Sequence, residues 1–339
     1  MFEIDPDIRQ AKTLSSAFYT DERYFELSKE KIFARTWQFA RGPEANPGLT
    51  PIILLPGFLD EPLVLARNGS GENCLTNVCT HRGKILVEEA CDAKLIRCAY
   101  HGRRFSLDGK FLSMPEFESV ENFPSAADDL RQVSFAERSG FRFVSLDPAA
   151  PFDEVINDVG FFDDISSPAP KLVTTSDYHV QAHWALYCEN YLEGFHIPYV
   201  HRSLNEVVDY GTYKTETFRY SSLQTGFDSD RNEAGRYLFL FPNTMFNFYS
   251  WGISLNVVEP LSPSSCRVRF LTYVFDESKG GHGAGADLHR VEVEDEAVVE
   301  SVQKGIRSRF YAHGRYSPTR EQGTHHFHRL IAEFLNRDK

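Results

Sequence analysis

The sequence predicts an α+β protein of two domains, a short-stranded all-β domain followed by a domain of mixed helix and sheet. Three observations predict it. The chain has 339 residues, long enough for two domains. Residues from about 36 to 147 break into brief apolar runs bounded by Pro, Gly and Asn. Residues 152–339 mix helical and strand-like patterns, and Asp147-Pro-Ala-Ala-Pro151 marks the boundary between the two regions.

Composition narrows the class. The chain is 42% hydrophobic and 25% charged, ordinary for a globular protein with a sizeable core. A formal net charge of −12 argues against a nucleic-acid partner. Met1-Phe-Glu-Ile-Asp-Pro-Asp7 has neither the basic start nor the apolar run of a signal peptide. No apolar stretch approaches the roughly 18 residues of a membrane span. Six cysteines spread through a long chain do not read as a disulfide framework. A cytoplasmic protein with reduced thiols is expected.

In chain order, residues 1–35 are partly helical. Phe25, Ile32 and Phe33 fall at i, i+7 and i+8 on one face, and Asp21 is placed to cap the start. Pro51-Ile-Ile-Leu-Leu-Pro56 and Leu63-Val-Leu-Ala66 read as strands, and Asp108-Gly109 as the turn of a hairpin between Phe105 and Phe111. His183 to His201 reads as a helix or broken helix. Tyr237-Leu-Phe-Leu-Phe241 and Leu255-Asn-Val-Val258 read as sheet. Glu277 to Ala286 is a Gly-rich loop, and 288–310 has helical composition. Near the C-terminus Phe327, Leu330, Ile331 and Phe334 share the inward face of a helix, so His325, His326 and His328 read as helix residues rather than a metal site.

Two cysteine–histidine pairs carry the first chemistry. Asn77-Val-Cys79-Thr-His81-Arg82-Gly83 is followed by Cys98-Ala-Tyr-His101-Gly102, with sixteen residues between His81 and Cys98. Two thiolates and two imidazoles can hold tetrahedral zinc, or a [2Fe–2S] cluster with both cysteines on one iron and both histidines on the other. Structural zinc usually pairs ligands of one kind in each short segment. Here each segment supplies one of each, so each loop reaches both irons of a cluster. A glycine closes each pair, as a tight loop requires.

Glu189-Asn190-Tyr191-Leu192-Glu193-Gly194-Phe195-His196-Ile197-Pro198-Tyr199-Val200-His201 carries the second. Glu193 and His196 are three apart and share one helical face. His196 and His201 are five apart, which would splay them on a regular helix. Pro198 disturbs that helix, so both imidazoles can turn toward one metal. Two histidines and a carboxylate form the facial triad of non-haem Fe(II) oxygenases. Asp295 is the chosen third ligand, with Glu294 and Glu300 as alternatives.

On these residues the chain resembles the α-subunits of Rieske non-haem iron ring-hydroxylating oxygenases over nearly its whole length. The resemblance implies an all-β Rieske [2Fe–2S] domain over 36–147 and a helix-grip (Bet v1-like) catalytic domain over 148–339. Residues 1–35 then pack on the catalytic domain. It implies that Cys79, His81, Cys98 and His101 bind the cluster and that His196, His201 and Asp295 bind Fe(II). Asn190 matches the asparagine that opens the iron-histidine motif, and Glu193 the carboxylate that bridges the two centres. In the family that carboxylate touches the second cluster histidine of a neighbouring subunit, here His101, which implies a ring, usually a homotrimer. Electrons come from NAD(P)H through a flavin or iron–sulfur reductase, and O2 and a small molecule are the substrates.

Two departures matter. Arg103-Arg104 follow Gly102 where the family often has Trp, and the bridge is Glu193 where aromatic-ring dioxygenases commonly have Asp. Glutamate there is similar to the branch of choline, carnitine and glycine-betaine monooxygenases. Hydroxylation or N-demethylation of a quaternary ammonium compound is therefore expected. The rivals are cis-dihydroxylation of an arene, a Rieske electron carrier without oxygenase activity, and a binding module that has lost catalysis. Phe246, Phe248, Tyr249 and Trp251 offer aromatic faces to a cation, though most are expected to fill a sheet core. Arg82, Lys84, Arg97, Arg103 and Arg104 crowd the cluster loops, either to attract an acidic reductase or simply as solvated charges.

Overall fold

The computed structural model describes residues 2–157, 159, 160, 162, 170–206, 209–275 and 288–337. The Gly-rich stretch 277–286 lies outside them. The chain divides into two compact units: Gln38–Pro148, and the paired segments Met1–Trp37 and Ala149–Lys339.

The unit Gln38–Pro148 is built from β1 (Gln38–Arg41), β2 (Leu49–Leu54), β3 (Glu61–Asn68), β4 (Gly71–Thr76), β5 (Ile96–Arg97), β6 (Arg104–Phe105), β7 (Phe111–Ser113), β8 (Gln132–Arg138) and β9 (Phe141–Ser145). Six strands pair in the order β1-β9-β8-β4-β3-β2, and β5-β6-β7 form a smaller sheet. Val64, Ala66, Leu75, Ile96, Phe105 and Leu130 bury one core, and the sulfurs of Cys79 and Cys98 belong to it. The β6–β7 hairpin turns at Asp108-Gly109, as its sequence predicts. Gly109 has φ +81°, and a Cβ there would sit 3.0 Å from Leu75 and 3.1 Å from the Leu130 carbonyl, so only glycine fits without movement.

The other unit starts with α1 (Ser16–Thr20) and α2 (Glu22–Lys31). Asp21 caps α2 by accepting from the Arg23 amide at 2.9 Å, and Phe25, Ile32 and Phe33 are buried. After α3 (Phe152–Ile156) come β10 (Lys171–Val180), α4 (Trp184–Tyr191), α5 (Ile197–Val200) and α6 (Arg202–Asn205). Six further strands follow: β11 (Lys214–Thr217), β12 (Ser221–Phe227), β13 (Glu233–Leu240), β14 (Thr244–Tyr249), β15 (Gly252–Ser262) and β16 (Ser265–Val274). The chain closes with α7 (Leu288–Gly305) and α8 (Gln322–Asn336). The strands make one antiparallel sheet, ordered β10-β16-β15-β14-β13-β12-β11. Helix α4 packs on β15 and α7, and α8 lies beside β11. Trp184 on α4 is fully buried, edge-on to Phe33 at 4.9 Å and to Phe327 of α8 at 5.8 Å.

Helix α8 buries Phe327, Leu330, Ile331 and Phe334, the face its spacing predicts. His325 and His328 are buried too, the second between Tyr316 (2.6 Å) and Glu189 (3.1 Å). Gly323 lets α8 approach the end of α4: a Cβ there would lie 2.4 Å from the Leu192 carbonyl oxygen. The two segments of this unit meet where the other is inserted. The Ala149 amide donates to the Arg35 carbonyl at 2.9 Å. The Trp37 indole donates to Ala150 at 3.0 Å and packs edge-on to Phe152 at 5.3 Å. Among the described residues no helix is long and apolar enough to cross a membrane.

Candidate metal centres

Two loops of matching hydrogen-bond pattern present the first set of ligands. In one, the Cys79 amide donates to the Lys84 carbonyl (2.9 Å) and the Gly83 amide to the Cys79 carbonyl (2.9 Å). In the other, the Cys98 amide donates to Arg103 (2.8 Å) and the Gly102 amide to Cys98 (3.1 Å). Each glycine takes a left-handed φ, +69° at Gly83 and +77° at Gly102, which is why both pairs end in glycine. The loops set Cys79 and Cys98 in the core with their sulfurs in hydrogen-bonding contact. His81 and His101 stand side by side nearer the surface, ring centres 4.9 Å apart. Burial lifts the Cys79 thiol, with the Cys98 sulfur adding to it and the backbone N–H groups of His81 and Arg82 opposing. Burial, then the neighbouring His101 and Arg82, push His81 down.

The arrangement of these donors distinguishes zinc from a cluster. Among the described residues, one set of three or more His, Cys, Asp or Glu side chains has its ligand atoms all within 4.8 Å of one another, and it is not this one. Thiols pair with thiols inside and imidazoles with imidazoles outside, with backbone N–H groups aimed at sulfur. That arrangement fits a two-iron cluster better than a single tetrahedral ion.

Arg103 is not a surface charge. It is 2% exposed, with its Nη2 2.6 Å from the Asp128 carboxylate and its guanidinium over Phe111 (4.9 Å), Phe123 (5.5 Å) and Phe105 (5.7 Å). The Asp128 carbonyl accepts the Thr80 hydroxyl at 2.8 Å. Arg103 and Asp128 therefore tie one ligand loop to the other. The sequence placed Arg103 among charges that either attract an acidic reductase or are simply solvated, because nothing local in Arg103-Arg104 distinguishes the two. The aromatic residues that enclose it lie up to twenty positions away.

The set that does close within 4.8 Å is His196, His201 and Asp295. The helix break that permits it comes earlier than Pro198. Helix α4 ends at Tyr191, and Pro198 sits in the first turn of the new short helix α5. A second break at His201, φ −109° and ψ 83°, separates α5 from α6. Glu193 lies in the turn, not on a helical face. Its Oε2 accepts from the His196 amide at 3.1 Å and from the Phe195 amide, while Oε1 accepts from His196 Nδ1 at 2.7 Å. Nδ1 thus carries the proton and Nε2 keeps its lone pair, 3.5 Å from Asp295 Oδ1. His201 is 1% exposed. Its Nε2 is 3.0 Å from Asp295 Oδ1 and its Nδ1 2.9 Å from Glu294 Oε2. Burial lowers the His201 pKa, but Asp295 and Glu294 outweigh it and the net direction is up.

Asn190 reaches the same point, donating from Nδ2 to Asp295 Oδ1 at 2.6 Å. Glu294 sits behind His201, paired also with Arg290 at 3.1 Å, and Glu300 accepts from the Gln181 amide at 2.9 Å. The three-residue set is otherwise complete without either.

A cavity of roughly 890 Å3, counting its open mouth, leads to this set. Tyr213, Tyr237 and Tyr249 form an aromatic wall, with ring centres 6.4 and 6.1 Å apart in sequence. Phe246 and Phe248 do not line it and pack on Phe162, because strand residues alternate faces. Tyr187, Tyr191 and Glu292 also line it and were not foreseen. Their signal was periodicity: Tyr187, Asn190 and Tyr191 stand at i, i+3 and i+4, and Glu292 one turn before Asp295. The Tyr187 hydroxyl donates to Glu292 Oε2 at 2.6 Å. Burial raises the Glu292 pKa well above the carboxylate range, Tyr187 opposes, and the charges of Asp295 and Glu296 add to the rise.

Two family models match the chain. The model of the Rieske [2Fe-2S] domain matches residues 57–124, and that of the ring hydroxylating alpha subunit (catalytic domain) matches 211–337. The chain is a Rieske-type oxygenase. This oxygenase is 29% identical to the chloroplastic choline monooxygenase of Arabidopsis thaliana, over 97% of the chain and 85% of that protein. It is equally similar, at 29%, to the carnitine monooxygenase oxygenase subunit of Escherichia coli K12, over 96% of the chain and 94% of the relative. The structure of the quaternary ammonium Rieske monooxygenase CntA with L-carnitine superposes with a TM-score of 0.80 at 26% identity, covering 99% of this chain and 100% of that one. Naphthalene 1,2-dioxygenase shares the fold, with a TM-score of 0.73 at 19% identity. As an oxygenase of this family the chain uses a [2Fe–2S] cluster and a non-haem iron, O2, and electrons delivered from NAD(P)H by a reductase.

Proposed function

We propose that this oxygenase hydroxylates a small quaternary ammonium compound. The observation that carries the proposal is the tyrosine-walled cavity ending at His196, His201 and Asp295. Ring faces attract a cation that cannot hydrogen-bond, by about 0.5–2 kcal/mol for each favourable contact. The choline and carnitine monooxygenases among its relatives support the same class.

Cys79, Cys98, His81 and His101 hold the cluster, in a domain spanning 36–147. His196, His201 and Asp295 hold the iron, in a domain spanning 148–339 on which residues 1–35 pack. When bound, the cluster supplies single electrons and the iron supplies activation of O2. The chain's own groups do the rest. Glu193 holds the Nδ1 proton of His196 and fixes which nitrogen faces the metal. Asn190 orients the Asp295 carboxylate. The tyrosines keep water from the reacting carbon and seat the cation. Exposed Tyr100 beside His101, and exposed Phe195 next to Glu193 with Tyr199 near its ring, are surfaces that a second copy would cover, which supports a homotrimer with the electron path running between subunits.

The test is a single turnover. The cluster is reduced without air, then O2 is added with a panel of quaternary ammonium compounds and simple aromatic acids, and products are weighed by mass spectrometry. A hydroxylated or demethylated ammonium product supports the proposal. A diol or phenol from the aromatic acids, with the ammonium compounds untouched, refutes it.

A further inference from the structure

Glu292 is a buried charge-bearing group that neither metal centre uses. It lines the cavity at 4% exposure. Oε2 accepts the Tyr187 hydroxyl, and Oε1 is buried with no hydrogen-bond partner. A carboxyl oxygen out of water and unpaired is costly, so its retention points to a ligand that answers it. The other acidic groups of the cavity are engaged, Glu193 by His196 and Asp295 by Asn190 and the histidines. Among the described residues lining the cavity there is no Lys or Arg.

We infer that Glu292 makes the cavity selective for a cation that carries no carboxylate. The inference rests on the quaternary ammonium reading and narrows it to amino-alcohol-like substrates over betaine-like ones. A ligand carboxylate would enter beside Glu292 with no described counter-ion. A cation meets the carboxyl group and tyrosine rings in one cavity lining. Burial favours the protonated form of Glu292 when no ligand is present, and a cation placed against it favours the carboxylate. Glu292 and Asp295 are one turn apart on α7, an axial rise of about 4.5 Å. A cation held against Glu292 therefore lies in the same cavity as the iron ligand Asp295, one helical turn along its wall.

The experiment measures equilibrium binding to the anaerobic, Fe(II)-loaded oxygenase by calorimetry. The probes are choline and glycine betaine, which share the trimethylammonium group and differ in a carbinol against a carboxylate. The wild type is expected to bind choline at least tenfold more tightly. Glu292→Gln, which keeps an acceptor for Tyr187, is expected to shrink that ratio to threefold or less. Equal affinities in the wild type overturn the inference without any variant. A ratio unchanged in a Glu292→Gln protein of normal melting temperature overturns the assignment to Glu292. Binding of neither probe, with an aromatic acid bound instead, overturns the quaternary ammonium reading and this inference with it.

Discussion

Replacing Arg103 with Met removes a cation from the core of the cluster domain while keeping most of its apolar volume. The Asp128 carboxylate loses its partner at 2.6 Å, and three aromatic rings lose the guanidinium between them. Breaking a buried ion pair from one side costs about 3–5 kcal/mol. Asp128 keeps the Ser125 amide at 2.7 Å and is itself partly solvated, so the lower end applies. Lost cation–π attraction adds about 1 kcal/mol, and methionine packing on the rings returns about as much. The expected loss is about 3 kcal/mol, or roughly 12 °C in the melting transition of a domain this size. The same substitution loosens both ligand loops, since Arg103 follows the second and Asp128 holds Thr80 of the first. Calorimetry should show the early transition, and iron and acid-labile sulfide should fall together. Arg103→Lys should not restore either, because an ammonium cannot stack and fork as a guanidinium does. A Met variant that melts within 2 °C of the parent and keeps a full cluster would refute the reasoning.

Four other outcomes are expected. Glu193→Ala should retain both metals yet uncouple NAD(P)H oxidation from product, lowering product yield by about 10–100-fold in a coupled assay with oxygen and product measured together. Asn190→Ala should weaken mononuclear iron binding by about tenfold, read by iron titration, with cluster content unchanged. Gly323→Ala should lower stability by about 1–3 kcal/mol in denaturant titration, because the new methyl group meets the Leu192 carbonyl just before the Glu193 turn. Asp128 has a depressed pKa, first from the Ser125 amide and then from Arg103. Its contribution to stability is therefore present above the ordinary carboxylate range and lost as pH falls through the folded value. Acid titration of Arg103→Met should show a shallower loss over that window than the parent.

Much of this was legible locally. Asp21 capping α2, the Asp108-Gly109 hairpin and the inward face of α8 are set by neighbours within four or five residues. The two glycine-closed loops are legible for the same reason. Non-local features were not. The burial of Arg103 depends on Phe123 and Asp128, and the seven-strand order depends on pairings such as β10 with β16, almost a hundred residues apart. Glu193 and His196 do meet, but through a turn in which a carboxylate caps two amides rather than through helical spacing. Glu292 was passed over because one acid in a run of acids carries no mark until Tyr187 of α4 is in place beside it.

The hydrogen bond between Ala149 and Arg35, with Trp37 closing on Ala150 and Phe152, has an architectural consequence. Both ends of the inserted stretch are fastened within the body that receives it. The host chain is thus continuous in space across the point of insertion. A few Gly and Ser residues joining Trp37 to Ala149 would have almost no distance to cover, so the entropy of closure is small. A chain so closed is expected to fold as the second unit alone, which far-UV circular dichroism and a cooperative melt would check.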